Sequence, residues 1–199
     1  MVGLTGGIGC GKTTVLECFR KMGVPCFMAD KQGAACYEDS AFVAALRGLM
    51  GEEVMRADGT VDKQAVARIV FADRGMLERL NAMVHPRVHA AFERWRDQQT
   101  APFVIYECAI LYEYGLEQEV DKVVCVYLDR EERMKRLEQR DHATREALEA
   151  RMRNQLSAET KMDRADYVIL NYEGNPRQRQ CEQVAAWLGE EARRKNDLL

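Results

Sequence analysis

The chain has 199 residues, 47% hydrophobic and 31% charged, with a formal net charge of −3. That size fits one domain with room for insertions around a sizeable core, and the charge balance gives no bulk basic signal for nucleic acid or anionic membrane. No apolar run approaches the roughly 20 residues that span a bilayer, so the expectation is no nucleic-acid partner, no membrane partner, and an anion chemistry that is local.

Val2-Gly3-Leu4 reads as a short strand, and its early position is expected to leave no room for a signal peptide. Gly6-Gly7-Ile8-Gly9-Cys10-Gly11-Lys12-Thr13 follows, a G-x-x-x-x-G-K-[ST] phosphate-binding loop. The glycines let the backbone wrap inward and aim its N–H groups at phosphate oxygens. Lys12 can reach the β- and γ-phosphates, and the Thr13 hydroxyl is a Mg²⁺ ligand of the usual kind. Gly9 to Thr14 is the expected nucleotide-binding stretch, and the helix after it, from Thr13 to Arg20, points its N-terminus at the phosphates.

Pro25 to Met28 reads as a second strand with Asp30 at its mouth. Residues 31 to 98 are mostly helical in pattern. Apolar spacing predicts a helix from Ala41 to Met50, and Asp62 is an N-cap for a helix that starts at Lys63 and runs to Phe71. A further series, Met76 to Val84, leads to His85-Pro86, where a separate helix through Val88, Phe92 and Trp95 is expected to begin. Phe103 to Tyr106 is a third strand ending at Glu107, and Val123 to Leu128 a fourth. Asp129, with Glu132 three residues on, is a capping box for a charged helical stretch over 131–163. Tyr167 to Leu170 is the last strand. Asn175-Pro176 opens the final helix, and Gly189 is a candidate break within it.

Strands alternating with helices predict a three-layer α/β fold around a parallel sheet, with ligands beyond the C-terminal strand ends. The phosphate loop, Asp30 and Glu107 all fall there. Asp30 is either the carboxylate that takes a proton from a hydroxyl acceptor or a helix-cap aspartate. Arg133, Arg136 and Arg140 share one helix face, which is either a phosphate-closing arginine set or a solvated surface paired with Glu132, Glu138 and Asp141. Glu107 sits where such enzymes keep an acidic group near Mg²⁺, while Glu113 is equally a structural acid. His85 is a substrate contact or a helix-start histidine, and Asn171 contacts a base edge or simply shapes its loop. The chain has no Asn-Lys-x-Asp, the signature of guanine-specific switches.

Seven cysteines without C-x-x-C spacing read as small hydrophobes in a reducing cytosol rather than as disulfides or zinc ligands. Cys10, within the loop, is the expected exception. Inward-pointing amides favour a thiolate there, sensitive to thiol reagents and shielded by Mg-ATP.

Taken together these segments resemble the dephospho-coenzyme A kinase family over nearly the whole chain. The resemblance rests on Leu4 to Val15, Ala29-Asp30, Asp58-Gly59-Thr60-Val61 and Val70-Phe71-Ala72-Asp73. It continues in Leu80-Asn81-Ala82-Met83-Val84-His85-Pro86, Ala109 to Glu113, Lys135-Arg136, Gln139-Arg140-Asp141, Thr144-Arg145-Glu146 and Ala165 to Ile169 with Asn171. Cys10 stands where the family has serine, Met28 where many members have a first aspartate, and Ala109 where proline is usual.

The resemblance implies a single P-loop kinase chain over 1–199. Its nucleotide-binding core is 1–30, 100–132 and 161–199; its helical substrate insertion is 31–99; its helical lid is 133–160. The implied reaction is transfer of a phosphoryl group from ATP, with Mg²⁺, to the ribose 3′-hydroxyl of dephospho-coenzyme A. Lys12, Asp30 and Arg140 are the implied catalytic residues. Gly9, Cys10, Gly11, Lys12, Thr13, Thr14, Arg136 and Asn171 bind nucleotide, Thr13 serves the metal, and Asp30, Lys63, His85 and Glu107 bind substrate. A cytoplasmic monomer or weak homo-oligomer is expected.

Overall fold

The structure, a computed structural model, describes residues 1–196; the last three residues of the expected core, 197–199, lie outside them. Two compact units are present among the described residues, Met1–Met28 with the chain from Gln99 onward, and Ala29–Gln98.

The first unit carries the sheet. Five strands, β1 (Val2–Thr5), β2 (Cys26–Met28), β3 (Ile105–Glu107), β4 (Lys122–Tyr127) and β5 (Tyr167–Leu170), pair in the order β2-β3-β1-β4-β5 with every ladder parallel. Parallel strands need crossovers, and the crossovers cover both faces, so the strands are buried runs: all four residues of β1 are buried. β1 is central, and the chain departs from it to both sides, so the strand order reverses there. That reversal opens a crevice at the β1 C-terminus, where the phosphate loop lies. Leu4 and Met28 both pair with Glu107, which places that carboxylate at the same C-terminal edge.

Helix α1 (Lys12–Lys21) packs Val15, Leu16 and Phe19 against β1 and β4 together with Val184 and Leu188 of α9 (Arg177–Asn196), and this is the main core. α9 runs unbroken through Gly189. A single glycine costs about 1 kcal/mol in a helix, less than the packing along its apolar side supplies. Between β4 and β5 come α6 (Arg130–Asp141), α7 (Arg145–Arg153) and α8 (Ala158–Arg164). Asp129, Thr144 and Ser157 cap them, accepting from the N–H groups of Glu132, Ala147 and Thr160.

The second unit is helical: α2 (Ala29–Ala35), α3 (Ser40–Met50), α4 (Lys63–Ala72) and α5 (Arg74–Arg96). Phe42, Leu46 and Met50 line one face of α3 and bury against Val66, Val70 and Leu80. Asp62 caps α4 as expected, accepting from Gln64 and Ala65, and these bonds hold its carboxyl below the ordinary aspartate range. Two expectations change here. β2 ends at Met28, so Asp30 lies in the first turn of α2 rather than at a strand mouth. His85-Pro86 begins no new helix, because α5 is continuous over 23 residues with Pro86 inside it. Proline removes one helix hydrogen bond. Beside that gap the Arg87 guanidinium donates to the Met83 carbonyl at 2.9 Å, and Leu80, Val88 and Phe92 hold the helix by burial on both sides of it.

Lys161 on α8 is fully buried. Its ammonium donates to the Ala109 carbonyl at 2.5 Å and pairs with Glu113 at 2.7 Å. Removing one partner of a buried pair strands the other, at a cost of about 3–5 kcal/mol. Lys161→Met should lose about that much in urea unfolding, and Lys161→Met/Glu113→Leu should recover part of it. A single variant as stable as the wild type would show the pair to be dispensable.

Candidate active site

The phosphate loop takes its shape from its glycines. Gly6 has φ +148°, and a β-carbon there would strike the Val126 carbonyl of β4 and the Cys10 sulfur. Gly11, the N-cap of α1, is left-handed at φ 87°, and a β-carbon would fall on the Asn171 side-chain amide. Along this stretch four carbonyls meet donors. Lys12 Nζ reaches the Gly6 carbonyl at 3.2 Å. Cys10 N–H donates to the Gly7 carbonyl at 3.1 Å. Arg133 approaches the Ile8 carbonyl at 3.5 Å, and Asn171 Nδ2 donates to the Cys10 carbonyl at 2.7 Å. With these carbonyls occupied, and with the Thr14 and Val15 N–H groups turned back to the Gly11 carbonyl, the N-terminus of α1 meets the loop with the positive end of the helix dipole. That is an anion site.

Lys12 stands 3.9 Å from the buried carboxylate of Glu107. A carboxylate at this distance holds an ammonium in place and attracts a cation. Thr13 and Thr14 are exposed in the first turn of α1, where a hydroxyl can meet a phosphate-bound metal. Among the described residues no group of three or more His, Cys, Asp and Glu side chains could hold a metal. A hydroxyl oxygen beside a phosphate loop instead suits Mg²⁺, which takes one or two protein oxygens and fills its shell with water and substrate phosphates.

The arginine face of α6 divides. Arg133 is buried against Gly7 and Ile8 of the loop. Arg136 donates to the Asn171 carbonyl at 2.8 Å and lies near Gly11. Arg140 is exposed and makes a two-pronged pair with Asp141, which Arg151 also contacts. The Arg140 hydrogen bond pulls the Asp141 carboxyl down to about 2. Its folded value lies below the unfolded one, so this pairing contributes stability above the ordinary aspartate range and loses it as pH falls toward 2. Near neutral pH, Arg140 is held at Asp141.

Asn171 is committed within the protein. Its Nδ2 holds the Cys10 carbonyl, and its Oδ1 accepts from Arg177 at 2.6 Å, so the amide expected at a base edge serves the loop. Cys10 reverses the expectation of a reactive thiol. It has no exposed surface and packs in the main core, because its amide faces the loop interior and its side chain faces away. Asp30, Lys63 and His85 belong to the second unit. Asp30 is exposed, Lys63 lies over the Tyr37 ring at 5.3 Å, and half-buried His85 has its imidazolium disfavoured by desolvation. Gln155 and Lys161 were not anticipated from the sequence. Gln155 Oε1 accepts the Ile8 N–H at 2.9 Å. Neither residue carries a spacing signal, since both lie within a polar helical stretch that reads as surface.

Comparison with known proteins gives one picture. A family model described as dephospho-CoA kinase matches residues 1–176. The dephospho-CoA kinase of Bacteroides fragilis is 36% identical over 189 residues, 94% of this chain and 92% of the relative. A crystal structure from Thermus thermophilus is 32% identical and superposes with a TM-score of 0.84, covering 93% of this chain and 95% of that one. A dephospho-CoA kinase from Campylobacter jejuni, 22% identical, shares the fold at a TM-score of 0.64 over 96% of this chain and 97% of its own.

Burial of Cys10 sets an order of thiol reactivity. Alkylation of the nucleotide-free protein, read by peptide mass spectrometry, should label half-buried Cys18 well before Cys10. Cys26 should lag too, since burial pushes its thiol up to about 11. First labelling at Cys10 would contradict the core position of that side chain.

Proposed function

The chain belongs to the dephospho-CoA kinase family, and from that premise we propose how its residues share the work. It is a P-loop kinase that uses ATP to phosphorylate the small molecule dephospho-CoA in coenzyme A biosynthesis. The residue roles that follow are our reading. The observation that carries them is the phosphate loop with four of its carbonyls engaged and Lys12 set between Gly6 and Glu107.

Lys12 and the loop N–H groups hold the transferring phosphoryl group and stabilise the charge that spreads over its oxygens. Thr13 would hold Mg²⁺, with Glu107 beside Lys12 adding negative potential. The ion, when bound, offsets phosphate charge. Asp30 lies two residues beyond Met28, the β2 residue paired with Glu107, and its exposed carboxylate accepts the proton of the ribose 3′-hydroxyl. Arg136 lies beside the loop and serves the nucleotide. Arg140 leaves Asp141 to meet the developing charge, so its contribution belongs to the transition state rather than to ATP binding. Residues 29–98 carry the acceptor, with Lys63 and His85 as its contacts, and the helices of 133–160 act as the lid. Such transfer is positioning and electrostatics, with no covalent enzyme intermediate.

We place the enzyme in the cytoplasm as a monomer or weak homo-oligomer that acts on neither nucleic acid nor membrane. Among the described residues no helix is long and apolar enough to cross a membrane.

A coupled ADP-release assay with and without dephospho-CoA tests the reading. Turnover should require the acceptor. Lys12→Ala should lower transfer by about 10²-fold or more in a folded protein. Asp30→Asn should bind both ligands yet transfer about 10²- to 10⁴-fold more slowly in a single turnover. Wild-type transfer rates in Asp30→Asn would remove Asp30 from the role of base.

A further inference from the structure

Ile8, at the crest of the phosphate loop, is held from three directions by the stretch after β4. Its side chain packs with Met134 and Leu137 of α6 and Leu148 of α7, beside Met152. Its N–H donates to Gln155 Oε1 at 2.9 Å, and its carbonyl faces the Arg133 guanidinium at 3.5 Å. Arg133 is 6% exposed, and its Nε has no partner among the described residues, so the group is held against the loop by burial rather than by a carboxylate.

Gln155 is itself fixed. Its own N–H donates to the Met152 carbonyl, and the next N–H, that of Leu156, donates to Glu113 at 2.8 Å. The same Glu113 oxygen pairs with Lys161, which also holds the Ala109 carbonyl just past β3. Ser157 then caps α8. A chain of polar contacts therefore runs from the end of β3 to the Ile8 N–H.

We propose that Gln155 is a positioning residue for the phosphate loop, with Arg133 acting on the next peptide, across the Ile8 α-carbon. The two fix the consecutive peptide planes on either side of Ile8, so the N–H groups beyond them face the crevice before nucleotide arrives. A glycine-rich loop that took this shape only around its ligand would bind more weakly by the backbone entropy it then lost. Holding one amide away from the phosphates keeps the others aligned. This inference rests on the loop's role as the phosphate site, and it extends that role to a residue touching neither phosphate nor acceptor.

Gln155→Met removes the acceptor at nearly constant length, and Gln155→Asn keeps the amide but withdraws it by one methylene. Loss of one hydrogen bond should raise the calorimetric Kd for Mg-ATP about 3- to 10-fold in both variants. The single-turnover rate at saturating ATP and the nucleotide-free melting temperature should change little. Combined with Arg133→Met, Gln155→Met should cost less than the sum of the two, since both act through the backbone of Ile8. An unchanged Kd in either folded variant overturns the proposal, and so does a lower melting temperature with unchanged Kd, which marks a packing role alone. If the wild type binds Mg-ATP but makes no coenzyme A, the functional reading fails, while the Kd comparison still decides the role of Gln155.

Discussion

A loop that offers its N–H groups to an anion must find donors for its carbonyls elsewhere, because buried backbone acceptors left unpaired are costly. The rest of this structure follows from that constraint. Four carbonyls, those of Gly6, Gly7, Ile8 and Cys10, meet Lys12, the Cys10 amide, Arg133 and Asn171 in turn. Two of these donors come from within the motif. The other two come from α6 and from the end of β5, more than a hundred residues away in sequence. The loop is thus a product of the whole α/β unit and not of its eight residues alone.

The sheet supplies what the distant donors need. Parallel order with β1 in the centre brings the ends of β3, β4 and β5 to one edge. β5 delivers Asn171, whose orientation Arg177 sets from the start of α9, and the crossover after β4 delivers Arg133 and Gln155. Buried Lys161 ties that crossover to the segment after β3. Buried Asn171 and Lys161 are tolerated because each meets partners, and in meeting them each fixes a backbone carbonyl near the phosphate site.

The sequence carried the strands and the loop clearly, because β-branched runs bounded by turns and a glycine-rich motif are local signals. The caps at Asp62 and Asp129 were equally local. What could not be read was whether a polar side chain faces water or protein. Arg133, Arg136 and Arg140 share one spacing, yet the first is buried under the loop, the second bonds a backbone carbonyl and the third pairs with Asp141. That gradient depends on where α6 meets the loop, which is tertiary information. The choice for Asn171 between a base edge and its own loop, and the direction of the Cys10 thiol, depend on the same information. Pro86 misled differently: proline reads as a helix boundary, but burial on both sides carried α5 through it.

A loop shaped in advance should show its order without ligand. Residue-resolved amide hydrogen exchange across Gly6 to Thr13 of the nucleotide-free wild type measures this most directly. Slow exchange at Ile8 and Cys10, whose N–H groups bond Gln155 and the Gly7 carbonyl, approaching that of β1, is the expected result. Exchange at the rate of an unstructured chain, slowing only when Mg-ATP is added, would contradict a loop held in place by the surrounding fold.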